Sequence, residues 1–182
     1  MKNWQKPDNV ALTTTTHGKL YRFFCYTMCS WFGAGYFPFA SGTAGSFATL
    51  PFAFLVAFFF GTMGIFVLTL VTFIIGIIAS KEVLKYTEHD PSIIVIDEVV
   101  GQLITFLFVA NLLYANLDAW WVYIIGFFLF RLFDILKPEP AKWADTKLLN
   151  AWGVMLDDVF AGIYAGIFLY LINICFCATS SL

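Results

Sequence analysis

The sequence predicts an all-α, polytopic membrane helical bundle of about five spanning helices plus an N-terminal re-entrant or interfacial helix, and three observations carry that prediction. Of the 182 residues, 60% are hydrophobic, 20% aromatic and only 12% charged, against roughly 25% charged in a soluble domain. No charged side chain occurs between Arg22 and Lys81, although about 20 apolar residues already suffice to span a bilayer. The apolar runs also lack the alternation of a membrane β-barrel, and backbone groups in lipid must then be satisfied within helices.

Length favours a single domain over residues 1–182, opened by a polar tail over 1–20. That tail has no short apolar core followed by a small-residue cleavage site, so no removable signal peptide is expected. The first apolar run, 21–39, carries Trp31, Phe32, Tyr36 and Phe37, which suit the headgroup level. Residues 47–79 as one helix would measure about 50 Å, too long for a core of about 30 Å. The natural break is Gly61-Thr62-Met63-Gly64, giving runs 47–60 and 65–79, each rather short for a full crossing. Runs at 99–114, 119–136 and 159–176 complete the set.

Lys and Arg fall between Lys2 and Arg22, between Lys81 and Lys85, and between Arg131 and Lys147. The positive-inside rule puts these three places in the cytoplasm. Segments 47–79 and 99–136 then each go out and back, the last helix leaves the C-terminus outside, and run 21–39 has no full crossing available. A net charge of -2 carries no basic excess for nucleic acid, and no obligate protein partner is inferred. Cys25, Cys29, Cys175 and Cys177 show no zinc-type pairing with His and are expected to be buried, inert thiols.

Four polar clusters remain between the helices: Ser41 to Ser46, His89 to Ser92 leading to Asp97-Glu98, Arg131 to Asp134 leading to Lys137-Pro138, and Asp157-Asp158. All four open on the predicted cytoplasmic side. Each acidic pair at a helix start could be simple dipole complementation. Two pairs aimed at one face are harder to explain so, because packed carboxylates repel unless something positive sits between them. Mg²⁺ fits an oxygen-only set without His or Cys, with Asp97, Glu98, Asp157 and Asp158 as its ligands.

Arg131 and Asp134 lie one turn apart and either form a structural ion pair or serve a phosphate, Arg131 holding it and Asp134 orienting the group or binding metal. Lys137 lies just beyond, and cationic side chains of this kind stabilise a transferring phosphoryl group. Gly42, Thr43, Gly45 and Ser46 form either a ready anion site before the 47–60 helix or an ordinary turn capped by Ser46.

Gly42-Thr43-x-Gly45-Ser46, Ser92-Ile93-Ile94-Val95-Ile96-Asp97-Glu98-x-x-Gly101, Phe130-Arg131-x-x-Asp134-x-x-Lys137-Pro138-x-Pro140 and Gly153-Val154-Met155-x-Asp157-Asp158-x-x-Ala161-Gly162 resemble, in order and spacing, the motifs of the bacterial phosphatidylglycerophosphatase A family, over roughly residues 33–170. The resemblance implies a Mg²⁺-dependent phosphatase of the bacterial inner membrane that converts phosphatidylglycerol phosphate, a phospholipid, to phosphatidylglycerol, the precursor of cardiolipin. It implies Asp97, Glu98, Asp134, Asp157 and Asp158 as metal and catalytic carboxylates, with Thr43, Ser46, Arg131 and Lys137 around the phosphate. Asp90 and Asp145 fall at further acidic positions of the pattern. Glu139 departs from it, standing where an aromatic or apolar residue is expected.

Other phosphatase chemistries lack their residues. No Cys is followed six positions later by Arg, no Asp-x-Asp occurs, and His17 and His89 both lie in polar segments. Direct attack by water and an aspartyl-phosphate intermediate both remain open. The competing non-enzyme reading is a small ion-coupled transporter or membrane scaffold, which midplane carboxylates on broken helices would favour.

Overall fold

A glycine or proline marks several of the breaks in this helical chain: Gly33 at φ 105°, Gly61 at φ 59° and Pro138 just beyond Leu136. The computed structural model describes residues 16–87, 91–115 and 120–180. The predicted tail over 1–15, the pair His89 and Asp90, and the connection near Asn116 lie outside them. The described residues form α1 (Thr16–Cys29), a 3₁₀ turn (Ala34–Tyr36), α2 (Ser41–Val83), α3 (Ile96–Leu107), α4 (Ala110–Ala115), α5 (Trp120–Leu136), α6 (Ala141–Lys147) and α7 (Ala151–Ser180), with no strand among them. Two helices, α2 and α7, are long and apolar enough to cross a membrane, with mean hydropathy of 2.5 and 2.1 over their best windows.

The predicted break in α2 falls at Gly61, whose φ of 59° and ψ of -152° lie in a region essentially reserved for glycine. The chain turns back there. Gly64 lies against Val56, eight residues earlier, whereas a straight helix would hold them about 12 Å apart along its axis. At the far end Gly45 packs on Val95 and Gly76 approaches Ile96, so both halves return to the start of α3.

Several boundaries differ from the sequence expectation. Run 21–39 is not one helix, because α1 stops at Cys29 and Trp31, Phe32 and Gly33 take φ of 45°, 55° and 105°. Trp31 turns inward against Phe52 and is buried, while Phe32, Tyr36 and Phe37 are exposed. Run 99–114 divides into α3 and α4. Helices α2 and α7 start earlier than their apolar runs, at Ser41 and Ala151, because small and polar residues are tolerated in a first turn packed on neighbours.

The closest packing joins α3 to α7. A Cβ on Gly162 would overlap the Gly101 carbonyl, and Thr105 Oγ1 donates to the carbonyls of Gly101 at 3.0 Å and Gly162 at 3.3 Å. Small residues and hydroxyls are the usual means of close approach between helices in lipid. Phe106, Phe130, Leu103 and Leu169 fill the core around this contact. Cys25 and Cys29 are buried as expected, whereas Cys175 is exposed on α7, so the buried reading does not extend to it.

Candidate active site

Asp97 and Glu98 occupy the first turn of α3. Asp158 is the eighth residue of α7, too far inside the helix for capping to explain it. Helices α3 and α7 run parallel at their contact: Asp97 lies four residues before Gly101, and Asp158 four before Gly162. That register brings one carboxylate oxygen each from Asp97, Glu98 and Asp158 within 4.8 Å of one another. Asp97 and Asp158 are buried and Glu98 nearly so.

The remaining polar residues sort around this trio. Arg131 Nη1 lies 2.8 Å from Asp134 Oδ2 and 4.0 Å from Glu98 Oε1, although its N–H vectors align with neither as hydrogen bonds. Arg131 Nε and Glu98 Oε2 are also buried without a hydrogen-bond partner among the described residues. A guanidinium and a carboxylate left short of partners side by side fit a phosphate for the first and a cation for the second. The oxygen-only donor set suits Mg²⁺.

Gly42 brings α2 up to the site. A Cβ there would overlap Glu98 Oε1 and stand 3.2 Å from Arg131 Nη1. The segment expected as a turn is already helix, so Ser46 does not cap it; buried, it donates back to the Gly42 carbonyl at 2.9 Å. The first bond into α2 runs from the Ala44 N–H to the Ala40 carbonyl. The N–H groups of Ser41, Gly42 and Thr43 therefore have no acceptor in the helix, an arrangement suited to an anion.

Lys137 stands elsewhere. Its φ of 42° ends α5 and swings the ammonium to Asp157 Oδ2 at 2.8 Å and Asp145 Oδ1 at 2.9 Å. Burial lowers the Lys137 pKa, but the hydrogen bonds to these two carboxylates outweigh it and leave the ammonium above its usual range. Asp157 thus faces Lys137 rather than joining the trio, and Asp145 ties α6 to α7 through the same cation. Glu139 accepts from the Trp143 N–H at 3.1 Å.

One residue escaped the sequence reading. Gln102, one turn beyond Glu98 on α3, is fully buried with neither amide atom hydrogen-bonded. A polar residue four places after an acidic one inside an apolar helix was the available signal.

Comparisons with known proteins identify the family. The model of the family described as phosphatidylglycerophosphatase A matches residues 27–173. A phosphatidylglycerophosphatase A of Haemophilus influenzae is 36% identical over 78% of this chain and 84% of its own, and one of Escherichia coli is 33% identical over 78% and 79%. A Bacteroides thetaiotaomicron protein, provisionally named a phosphatidylinositol-3-phosphatase, is 39% identical over 74% of this chain and 84% of its own. No solved structure matches. Such relatives, with two helices long and apolar enough to span, mark a membrane protein. The four motifs described above all fall within residues 27–173, and the chain belongs to the phosphatidylglycerophosphatase A family.

Proposed function

We propose that this phosphatase hydrolyses the terminal phosphate monoester of phosphatidylglycerol phosphate in a Mg²⁺-dependent reaction, releasing phosphatidylglycerol and inorganic phosphate. The observation that carries the reading is the convergence of Asp97, Glu98 and Asp158 beside Arg131 and the open first turn of α2. The family and two of its curated relatives are named for that lipid.

Asp97, Glu98 and Asp158 would hold the Mg²⁺, with Asp157 beside them as a further ligand once it leaves Lys137. Bound there, the ion supplies Lewis-acid polarisation of the phosphoryl group. Arg131 and the N–H groups of Ser41, Gly42 and Thr43 hold the phosphate oxygens as charge shifts among them. Asp134 keeps the guanidinium in place. As the oxygen of the attacking water bonds to phosphorus, a carboxylate of the set takes its proton and passes it to the glycerol oxygen, whose bond to phosphorus breaks.

We read five crossings: the two halves of α2, then α3 with α4, then α5, then α7, while α1 lies at the interface. The site opens on the cytoplasmic face of a bacterial inner membrane, where the product is available for cardiolipin formation.

Phosphate release from the lipid by purified protein in detergent, with Mg²⁺ or with EDTA, tests the reading. Phosphatidic acid and phosphatidylinositol 3-phosphate serve as competitors. Mg²⁺-dependent release confined to phosphatidylglycerol phosphate supports it. Equal release from all three would overturn the substrate assignment, and release undiminished by EDTA the metal. No release at all would return the chain to an ion-coupled or scaffolding role.

A further inference from the structure

Gln102 is one of three buried polar side chains, with Trp31 and Tyr123, that lack a hydrogen-bond partner among the described residues and that the proposed chemistry leaves unused. It follows Glu98 by four residues in α3, so the two share a face one turn apart. Helical side chains lean toward the N-terminus, which carries the Gln102 amide back toward the Glu98 carboxylate. The side chain is 0% exposed, and neither Nε2 nor Oε1 has a hydrogen-bond partner among the described residues. Glu98 Oε2 is in the same condition.

Buried hydroxyls at the start of α2 and on α3 have spent their donors, while that of Tyr123 on α5 has no hydrogen-bond partner among the described residues. Ser46 donates to the Gly42 carbonyl, Thr49 to that of Gly45, and Thr105 to those of Gly101 and Gly162. An amide without partners and a carboxylate with one unpartnered oxygen, Glu98 Oε2, thus belong to residues one turn apart inside a bundle where unpartnered polar groups are costly.

We propose that Gln102 is a positioning residue whose amide donates to Glu98 Oε2, directly or through one water, and so fixes the orientation of that carboxylate within the acidic set. The inference rests on reading Asp97, Glu98 and Asp158 as the Mg²⁺ ligands. Loss of the hydrogen-bond partner of a ligating carboxylate typically costs about 10- to 100-fold in metal affinity or activity.

Gln102→Met keeps the volume and removes both polar atoms. Thermal unfolding of the full-length protein in detergent, across a Mg²⁺ titration, reads the effect without turnover. The expected result is a metal-free Tm close to native, with the Mg²⁺ concentration for half of the Tm rise increased about 10- to 100-fold. Gln102→Asn, which keeps a shorter amide, should recover part of that loss. In phosphate release, kcat should fall on the same scale with KM within about twofold, since the amide touches no substrate.

A native Mg²⁺ midpoint in Gln102→Met overturns the proposal. Should that variant fail to fold, a native midpoint in Gln102→Asn overturns it instead. Wild-type protein that shows no Mg²⁺-dependent Tm rise sinks the metal reading and this proposal together. Wild-type protein that responds to Mg²⁺ yet releases no phosphate sinks the hydrolysis reading but not the metal site, and the shifted midpoint still stands for Gln102.

Discussion

Gly101 and Gly162 meet with no room for a side chain on either: a Cβ on Gly162 would overlap the Gly101 carbonyl, and one on Gly101 would strike Phe130 and lie 2.7 Å from the Asp158 carbonyl. Because these are backbone atoms, neither helix can yield locally. Gly162→Ala is therefore expected to push α3 from α7, costing about 1–3 kcal/mol and spreading Asp97 and Glu98 from Asp158. Thermal unfolding should show a lowered Tm, and phosphate release should fall with it.

Gly42→Ala acts on the same carboxylate from the other side. The obstacle there is the Glu98 side chain, which can move, so stability should change by less than about 1 kcal/mol. The displaced carboxylate should raise the Mg²⁺ requirement about tenfold. An unchanged Mg²⁺ dependence would place Glu98 outside the metal set.

Asp158→Asn removes one charge from the trio without changing its shape. Hydrolysis should drop by about 10²-fold or more while the folded fraction recovered in detergent stays native. Full turnover in this variant would remove the metal assignment.

Arg131→Lys keeps the charge but loses the planar fork and the reach of Nε. A point charge is a poor substitute for the guanidinium at the proposed phosphate site. The expectation is a kcat/KM at least tenfold lower, about 1.4 kcal/mol of transition-state binding, and no gain from added Mg²⁺.

Much of the frame was legible because its signals are local. A charge-free stretch from Arg22 to Lys81, a glycine pair at the midpoint of an overlong apolar run, and motifs of Asp and Arg at fixed spacing need no tertiary information. The helix starts were not: apolar content marks where lipid begins, whereas Ser41 and Ala151 begin their helices on neighbouring protein. Nor could spacing show that Asp157 and Asp158, adjacent in sequence, point to different partners. In a helix neighbours stand about 100° apart, so one meets Lys137 and the other the trio. Gln102 was hidden for a related reason, since its lack of partners exists only once the bundle has closed.

Lys137→Met tests the division between those neighbours. Asp145 and Asp157 would lose their shared cation, and α6 its tie to α7. A double-mutant cycle of Lys137→Met with Asp157→Asn should give a coupling energy of about 1–2 kcal/mol, and limited proteolysis should cut near α6 sooner than in the native chain. Independent, additive effects would show that the ion pair holds nothing in place.

Gly61 lies at the opposite end of the α2 hairpin from Gly42, yet it decides the parity of the chain. Without its reversal, the 43 residues of α2 would run on as a rod of about 65 Å, and α3 would begin at the opposite end from Gly42. The carboxylate that Gly42 now makes room for would then have no α2 beside it. One backbone conformation that only glycine tolerates thus determines whether the two ends of the hairpin can cooperate at all.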